Sequence, residues 1–465
     1  MAIQSYYLFY YGLLRSSLKD LLRARNDRSY LKLYSLMDLI PDEPLQTKLI
    51  RNGFRLYFFQ FLLAPAGYLI KMMISRELSV EDIGLFYSIM GLITIISAYN
   101  DLGLTEALQY YLPHYFIDKE YSKAKTIIVF TWLMQFISGF LISGLLYFWS
   151  DRLAIHYFKT TDAWLLLKYF SLYFIILNLY QVISSLFVAV QNVKRQQGVD
   201  VIRMRSIVIL TFVSVYRWTL DTVTFTKRRL VGVCIALLWS RWGLKRSFRW
   251  LFRDYSLVRD RQLIRQQWTY WLWILIGVGA GTLLGQVNQQ FALYFFGAKA
   301  AGYWTNYLSF YTIIGVLTGP LISYLFPLLN ELYKKWEEEK IKLLYSYLFI
   351  GIAVFGLIGW IGWRFLSERA AVLLFGEAFR QSGVLFHYYA PFVVTLPLIW
   401  VLFQDIASRG MVRQRVFAII YALIINIIAS LVLWKYFGLT GLVYGQLMGN
   451  LVLVGCGWYW WKKKL

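Results

Sequence analysis

The sequence predicts an all-α polytopic membrane protein of about 12 transmembrane helices in two parallel six-helix repeats. Three observations lead there: the composition, the recurrence of apolar runs of crossing length, and an internal repeat. Of 465 residues, 59% are hydrophobic, 19% aromatic and only 16% charged. A soluble domain is nearer half apolar and a quarter charged, and so little polar surface cannot cover a water-soluble globule. One helical crossing needs about 20 apolar residues, so a dozen crossings with short loops use most of the chain.

Residues 1–50 read as a cytoplasmic or interfacial segment. Leu18, Leu21 and Leu22, then Leu33, Leu36, Met37 and Ile40, recur at helical spacing among Arg23, Arg25, Arg28 and Lys32. That is the pattern of a basic amphipathic helix on the membrane surface; a solvated cytosolic helix has it too. Pro41 and Pro44 close the segment. Spans are then expected at 52–74, 83–105, 126–149, 164–190, 206–226, 230–250, 266–293, 302–329, 343–363, 383–406, 416–434 and 439–461. The N-terminal six-helix lobe covers 51–250, with a basic loop reaching 265. The C-terminal lobe covers 266–461, and 462–465 is a basic tail.

The net charge is +23, which fits either nucleic acid or anionic lipid as a partner. Placement decides. With an even number of spans both termini share one side. With the sixth span cut at Ser240, loops on that side carry 33 Lys and Arg, the opposite loops 11, and four lie within spans. This is the positive-inside bias, with both termini cytoplasmic in a cell plasma membrane, and it gives no reason to invoke nucleic acid. Cys234 and Cys456 sit in apolar stretches, and His114, His156 and His387 are scattered. No disulfide framework, metal site or cofactor is expected.

The repeat is visible in two segments. Ser75 to Tyr87 reads SRELSVEDIGLFY before the second span, and Phe296 to Thr305 reads FGAKAAGYWT before the eighth. Gly84 and Gly302 fix the offset at 218 residues, which also carries Thr126 at the start of the third span to Leu344 at the start of the ninth. Six spans separate the copies, so both halves have one orientation. Transporters built this way place their substrate between the halves.

The run Leu78 to Tyr87 (LSVEDIGLFY), followed by Asn100 to Leu108 (NDLGLTEAL), resembles the polysaccharide-transporter flippases of the multidrug/oligosaccharidyl-lipid/polysaccharide exporter superfamily. In the second half, Gly297 through Trp304 resembles that family's turn after its seventh span, and Phe326 to Leu332 (FPLLNEL) its exit from the eighth. The likeness extends over roughly residues 50–460. It implies two lobes around a central cavity and alternating access. The implied cargo is an isoprenoid pyrophosphate-linked oligosaccharide moved from the inner to the outer leaflet. Membrane lipids, a driving ion (H+ or Na+) and polysaccharide-assembly proteins are the implied partners. The chain departs from the family late in the seventh span, where an acidic residue is common and Asn288 stands here.

Within this frame, residue chemistry nominates a site. Arg217 is expected mid-span, where an ionised Arg needs a wet cavity or a partner, and Asp221, four residues on, shares its helix face. Arg217 then binds pyrophosphate through its forked donors, or the two form a self-contained ion pair. Arg55 and Lys71 in the first span are further phosphate candidates, both near enough to its ends to snorkel. Gln286, Asn288 and Gln289 suit sugar hydroxyls, since an amide donates and accepts; helix–helix glue uses the same groups. Asp101, Glu106 and Asp405, near span ends, are candidates for ion coupling alongside Asp221. Gly277, Gly281 and Gly285 form a ladder suited to close packing. The basic stretch 195–250 is either a cationic wall of the cavity or a local anomaly. A sugar polymerase or ligase is disfavoured, because the longest outer loop, 364–382, has 19 residues. A drug exporter of the same superfamily is the alternative; a cationic drug favours an acidic cavity, and the intramembrane charge here is mostly basic.

Overall fold

The computed structural model describes residues 65–101, 103–190, 192–217, 219–258, 261–334 and 338–463. The amphipathic segment expected over 1–50, and Arg55, lie outside the described residues. Among those described, every regular element is a helix. They are α1 (65–77), α2 (Val80–Asn100), α3 (Leu104–Ile117), α4 (Tyr121–Phe148), α5 (Ala163–Ala189), α6 (Val193–Tyr216) and α7 (Thr222–Asp254). The stretch Arg261–Lys334 breaks at Gly297 (φ 86°) into α8 (261–296) and α9 (298–334). Then come α10 (Glu338–Phe375), α11 (Arg380–Tyr389), α12 (Thr395–Ser408), α13 (Val412–Phe437) and α14 (Leu439–Lys462).

The repeat holds element by element. Shifted by 218, the starts of α2, α4, α5, α6 and α7 fall within one residue of the starts of α9, α10, α11, α13 and α14. The corner before each second span is made differently. Ser79 caps α2: its Oγ accepts from the Asp82 amide at 3.0 Å and donates to the Asp82 carboxylate at 2.7 Å, and Glu81 and Asp82 favour the helix N-terminus. In the second half, left-handed Gly297 turns the corner without a cap.

At these corners the copies cross. A Cβ on Gly84 would collide with the Ala298 carbonyl and the Gly302 amide, and a Cβ on Gly302 with the Val80 carbonyl. Val80 and Ala298, like Gly84 and Gly302, are repeat equivalents, so each copy presents the same patch to the other, the reciprocity of a two-fold axis. Glu81 and its equivalent Lys299 approach to 3.9 Å at the same crossing; both are exposed, so the pair adds little.

The chain divides into two compact units. One combines Ile74–Leu92 with the chain from Gly279 onward; the other holds the described residues up to Met73 and those from Ile93 to Val278. Within the latter, α5 is central, with Phe170, Phe174 and Phe187 fully buried. The former packs Trp304, Tyr307, Phe310, Phe386 and Tyr389 at its core.

Lipid is the solvent for which these helices are built. On α4 the buried stripe is Thr131, Gln135, Gly139 and Ser143, while Trp132, Leu133, Phe136, Phe140 and Leu141 face outward. On α13 Ala422, Asn426 and Ser430 point in, and Ile424, Ile428 and Val432 point out. Small and polar residues inside with large apolar ones outside is the pattern of packing in a bilayer. Gly441, Gly445 and Gly449 of α14 lie against α13, where a Cβ on Gly445 would strike Ser430. Six described helices are long and apolar enough to cross, or seven if Glu377–Phe392 and Thr395–Ser408, bent by 54°, form one span. Pro391 and Pro397 lie at that bend, which the prolines anticipate.

Three expectations change. In place of the fifth and sixth spans expected at 206–226 and 230–250 stand α6 and α7, which begin at lower numbers and are separated by a turn at 217–221; neither is among the six helices long and apolar enough to cross. Arg217 is therefore the C-cap of α6 and exposed, not mid-span. The glycine ladder of α8 does not pack closely: nothing lies within 4 Å of a Cβ built on Gly281 or Gly285.

Candidate functional site

Polar side chains inside the helical units form three groups, each held by a different logic. The first belongs to α8, α9, α13, α14 and the first half of α2. Gln289 Nε2 donates to Ser88 Oγ (3.0 Å) and to the Ala301 carbonyl (3.1 Å), and its Oε1 accepts from the Thr305 hydroxyl (3.2 Å). Gln290 Nε2 donates to the Ser88 carbonyl at 3.0 Å, and Asn306 to Ser75 Oγ at 3.1 Å. Asn288 accepts from Ser430 Oγ at 3.1 Å and donates weakly to the Leu442 carbonyl at 3.4 Å. Both amide hydrogens of Gln289 are thus spent within the protein, and Asn288 is buried. These two residues tie helices together, the role of polar glue. Gln286 differs. It is half-buried, stands against Gly91, where a Cβ would lie 2.8 Å from its Oε1, and makes no side-chain hydrogen bond among the described residues.

The second group gathers where α2 ends, α3 begins, and α4 and α5 pack beside them. Asn100 Nδ2 donates to Gln135 Oε1 (2.9 Å) and Asn178 Oδ1 (3.1 Å). Gln135 Nε2 donates to the Asp101 carboxylate. The other Asp101 oxygen accepts from the Thr105 hydroxyl at 2.8 Å, and Glu106 Oε2 lies 3.1 Å from the same hydroxyl. Ser97 reaches Asn178 and Gln181. Gly103, left-handed at φ 69°, makes the break that lets Asp101 turn into this group. The Thr105 hydroxyl has one proton for two carboxylates, so one of the two contacts needs a proton or a cation from elsewhere. Among the described residues no cationic side chain pairs with Asp101, and the buried Asn100 Oδ1 accepts no hydrogen bond. The repeat supplies a comparison: 218 residues on, Asn100, Asp101, Gln135, Asn178 and Gln181 become Thr318, Gly319, Ala353, Leu396 and Ile399. Packing at this position does not require the polar set.

The third group closes on itself. Asp405, fully buried, accepts from the hydroxyls of Tyr333 and Tyr345 at 2.5 Å each, and Arg409 Nε lies 3.0 Å from its second oxygen. Arg409 also sits over the Tyr333 ring at 4.7 Å. Asp405 is buried and paired with Arg409 one helical turn on, the arrangement of an intramembrane ion pair.

Asp221 stands elsewhere than on the helix face of Arg217. It is the N-cap of α7, and its Oδ1 accepts from the Thr224 amide at 2.5 Å. Cap and C-cap lie on separate helices, so Arg217 and Asp221 do not share a face. Lys71 lies within α1, half-buried, at the repeat position of Gln289. Part of the basic stretch serves packing: Arg203 pairs with Asp200 at 3.0 Å beneath Tyr180, Arg195 donates to the Gly243 carbonyl at 3.0 Å, and Arg228 Nε to Ser214 Oγ at 3.2 Å.

Sequence reasoning passed over Ser97, Asn100, Gln135, Asn178 and Gln181. The signal was present, since Gln135 and Asn178 stand alone in apolar runs, and a polar residue inside the membrane marks a site by default. No group of three or more His, Cys, Asp or Glu able to hold a metal occurs among the described residues.

Comparison with known proteins places the chain. The model of a family described as "Polysaccharide biosynthesis protein" matches residues 49–333. An uncharacterised membrane protein of Methanocaldococcus jannaschii is 22% identical over 291 residues, 60% of this chain; the match spans 57% of that relative's length. Among solved structures, the inward-facing conformation of a multidrug resistance MATE family transporter of the MOP superfamily is 14% identical. It covers 93% of this chain and 97% of its own, with a TM-score of 0.72. The outward-facing conformation of such a transporter gives 0.63, again at 14% identity, over 95% of this chain and 98% of its own. A MOP superfamily transporter from Pyrococcus furiosus, whose binding pocket is described as reversed in polarity, gives 0.62 at 14% identity, over 95% and 98%. The fold is that of MOP superfamily transporters.

Proposed function

Because the chain belongs to the polysaccharide biosynthesis protein family and has the fold of membrane exporters, we propose that it flips an isoprenoid pyrophosphate-linked oligosaccharide from the inner to the outer leaflet. The family match across 49–333 carries the reading. Chemistry supports it. Lys71 is a cation within the first span, and a cation suits pyrophosphate where it would repel a cationic drug; Arg55 falls in the sequence expected for that span. Gln286 keeps its donors and acceptor for a sugar hydroxyl. Asp101, with Glu106 beside it and one proton too few between them, is the group through which H+ or Na+ drives transport. Both termini are cytoplasmic in this reading, as the loop charge requires.

Deleting the gene in its own host tests the proposal. Lipid-linked oligosaccharide should accumulate in the inner leaflet and surface polysaccharide should fall, with wild-type protein restoring both and Lys71→Glu failing to restore them at equal abundance. A drug exporter is the second reading, favoured by the likeness to multidrug transporters. It predicts unchanged polysaccharide and greater sensitivity to cationic drugs.

A further inference from the structure

One exposed helix face plays no part in transport as read above. Along α7, Ile235 and Leu238 are exposed. Trp239 and Trp242 follow, also exposed, their rings 5.3 Å apart. Arg241 stands between the two tryptophans and points outward, as do Lys245, Arg246, Arg249 and Arg253 beyond them, while Gly243, Ser247, Phe248 and Leu251 are buried behind them. Apolar, aromatic, then cationic is the order of depths met on leaving a bilayer: hydrocarbon, interface, headgroup phosphate.

Length agrees. α7 has 33 residues, about 50 Å at 1.5 Å per residue, well beyond a hydrocarbon core of about 30 Å. Its end is fixed in place. Lys125 Nζ donates to the Phe252 and Tyr255 carbonyls at 2.8 and 2.6 Å, and Trp250 packs on Tyr121 and Tyr255. The cations are short of anions. Arg253 pairs with its neighbour Asp254, and among the described residues no carboxylate pairs with Arg241, Lys245, Arg246 or Arg249. Arg241, Lys245, Arg249 and Arg253 succeed one another every four residues, so like charges repel along the helix until an anionic layer covers them.

The repeat marks the depth independently. Trp460 is the equivalent of Trp242 and Lys463 of Lys245, so both halves pass from aromatic to cation at one register. α7 continues past this register to Asp254 and adds Arg249 and Arg253, and the extension builds a rigid cationic rail.

We propose that the α7 face from Trp239 to Arg253 docks anionic phospholipid headgroups, with the tryptophans at the interface and the cations on the phosphates. The test uses the full-length protein, purified from membranes and placed in nanodiscs of phosphatidylcholine mixed with phosphatidylglycerol, the lipids held by the protein being counted by native mass spectrometry. The wild type should retain phosphatidylglycerol over phosphatidylcholine by roughly tenfold, an enrichment that falls as salt rises. The variant R241Q/K245Q/R246Q/R249Q should lose the enrichment, and the variant in which the three arginines become lysine should keep it. If the glutamine variant fails to fold, the salt titration and the lysine variant decide alone. Equal enrichment in the glutamine variant, or a wild-type enrichment insensitive to salt, overturns the proposal. Displacement of the lipid by millimolar inorganic phosphate also overturns it, since that marks a small-anion site. So does loss of binding to a lipid-linked oligosaccharide with phospholipid enrichment unchanged, since the face then belongs to the transport path.

Discussion

Asp405 and Asp101 are both carboxylates in the polar interior, yet their neighbours give them opposite work. Asp405 is held by two tyrosine hydroxyls and the Arg409 guanidinium. Removing one member of a buried pair strands the other charge at a cost of about 3–5 kcal/mol. Arg409→Gln and Asp405→Asn should therefore each lower the unfolding midpoint in detergent. Tyr333→Phe, which removes one of several hydrogen bonds to Asp405, should cost about 1 kcal/mol. Among the described residues Asp101 pairs with no cation, and it shares one hydroxyl proton with Glu106. Asp101→Asn should leave folding intact and abolish the dependence of transport on an imposed ion gradient, measured in vesicles. A lower unfolding midpoint with gradient dependence retained would assign Asp101 to packing instead. Arg217, exposed at a helix end, should tolerate Gln with transport and abundance both near wild type.

Elements differ in what fixes them, and this sets what the sequence could reveal. The crossing of α2 and α9 rests on two glycines whose missing side chains admit a backbone. Gly84→Val or Gly302→Val should reduce folded protein in the membrane severely, as fluorescence-detected chromatography would report. Gly281→Ala, facing open space, should be neutral or stabilise by roughly 0.5–1 kcal/mol. Most spans were legible because apolar runs of crossing length admit one reading, and the repeat was legible because Gly84 and Gly302 cannot vary at the crossing. The α6–α7 boundary was not, because basic residues inside both helices blur any apolar run. The better signal there was local: Asp221-Thr-Val-Thr is a helix N-cap, and it outranks hydropathy when charges are built into packing, as Arg203 and Arg228 are. The amides of α8 were found but their use was not, since Ser88, Thr305 and Ser430, which consume them, are far apart in sequence. Gln135 and Asn178 were missed for a related reason. Each is alone on its helix, and only the fold brings them to Asn100.

At the scale of the whole molecule, two repeats with matching element starts and the fold of MOP superfamily transporters describe an all-helical polytopic membrane protein. The proposed orientation puts the basic loops in the cytoplasm. Reporter fusions after Lys335 and Arg413 should report the cytoplasm, and those after Lys299 and Arg369 the outside; reversal at two of these would invert the layout. Cargo is the central claim. The most direct measurement reconstitutes the purified protein in liposomes carrying a lipid-linked oligosaccharide with its pyrophosphate. It then follows, under an imposed proton or sodium gradient, the fraction of sugar open to an added glycan-cleaving enzyme. The account predicts that this fraction rises with time in wild-type vesicles and stays at its starting level with Lys71→Glu. A fraction that never rises, in vesicles that instead expel a cationic drug, would contradict it.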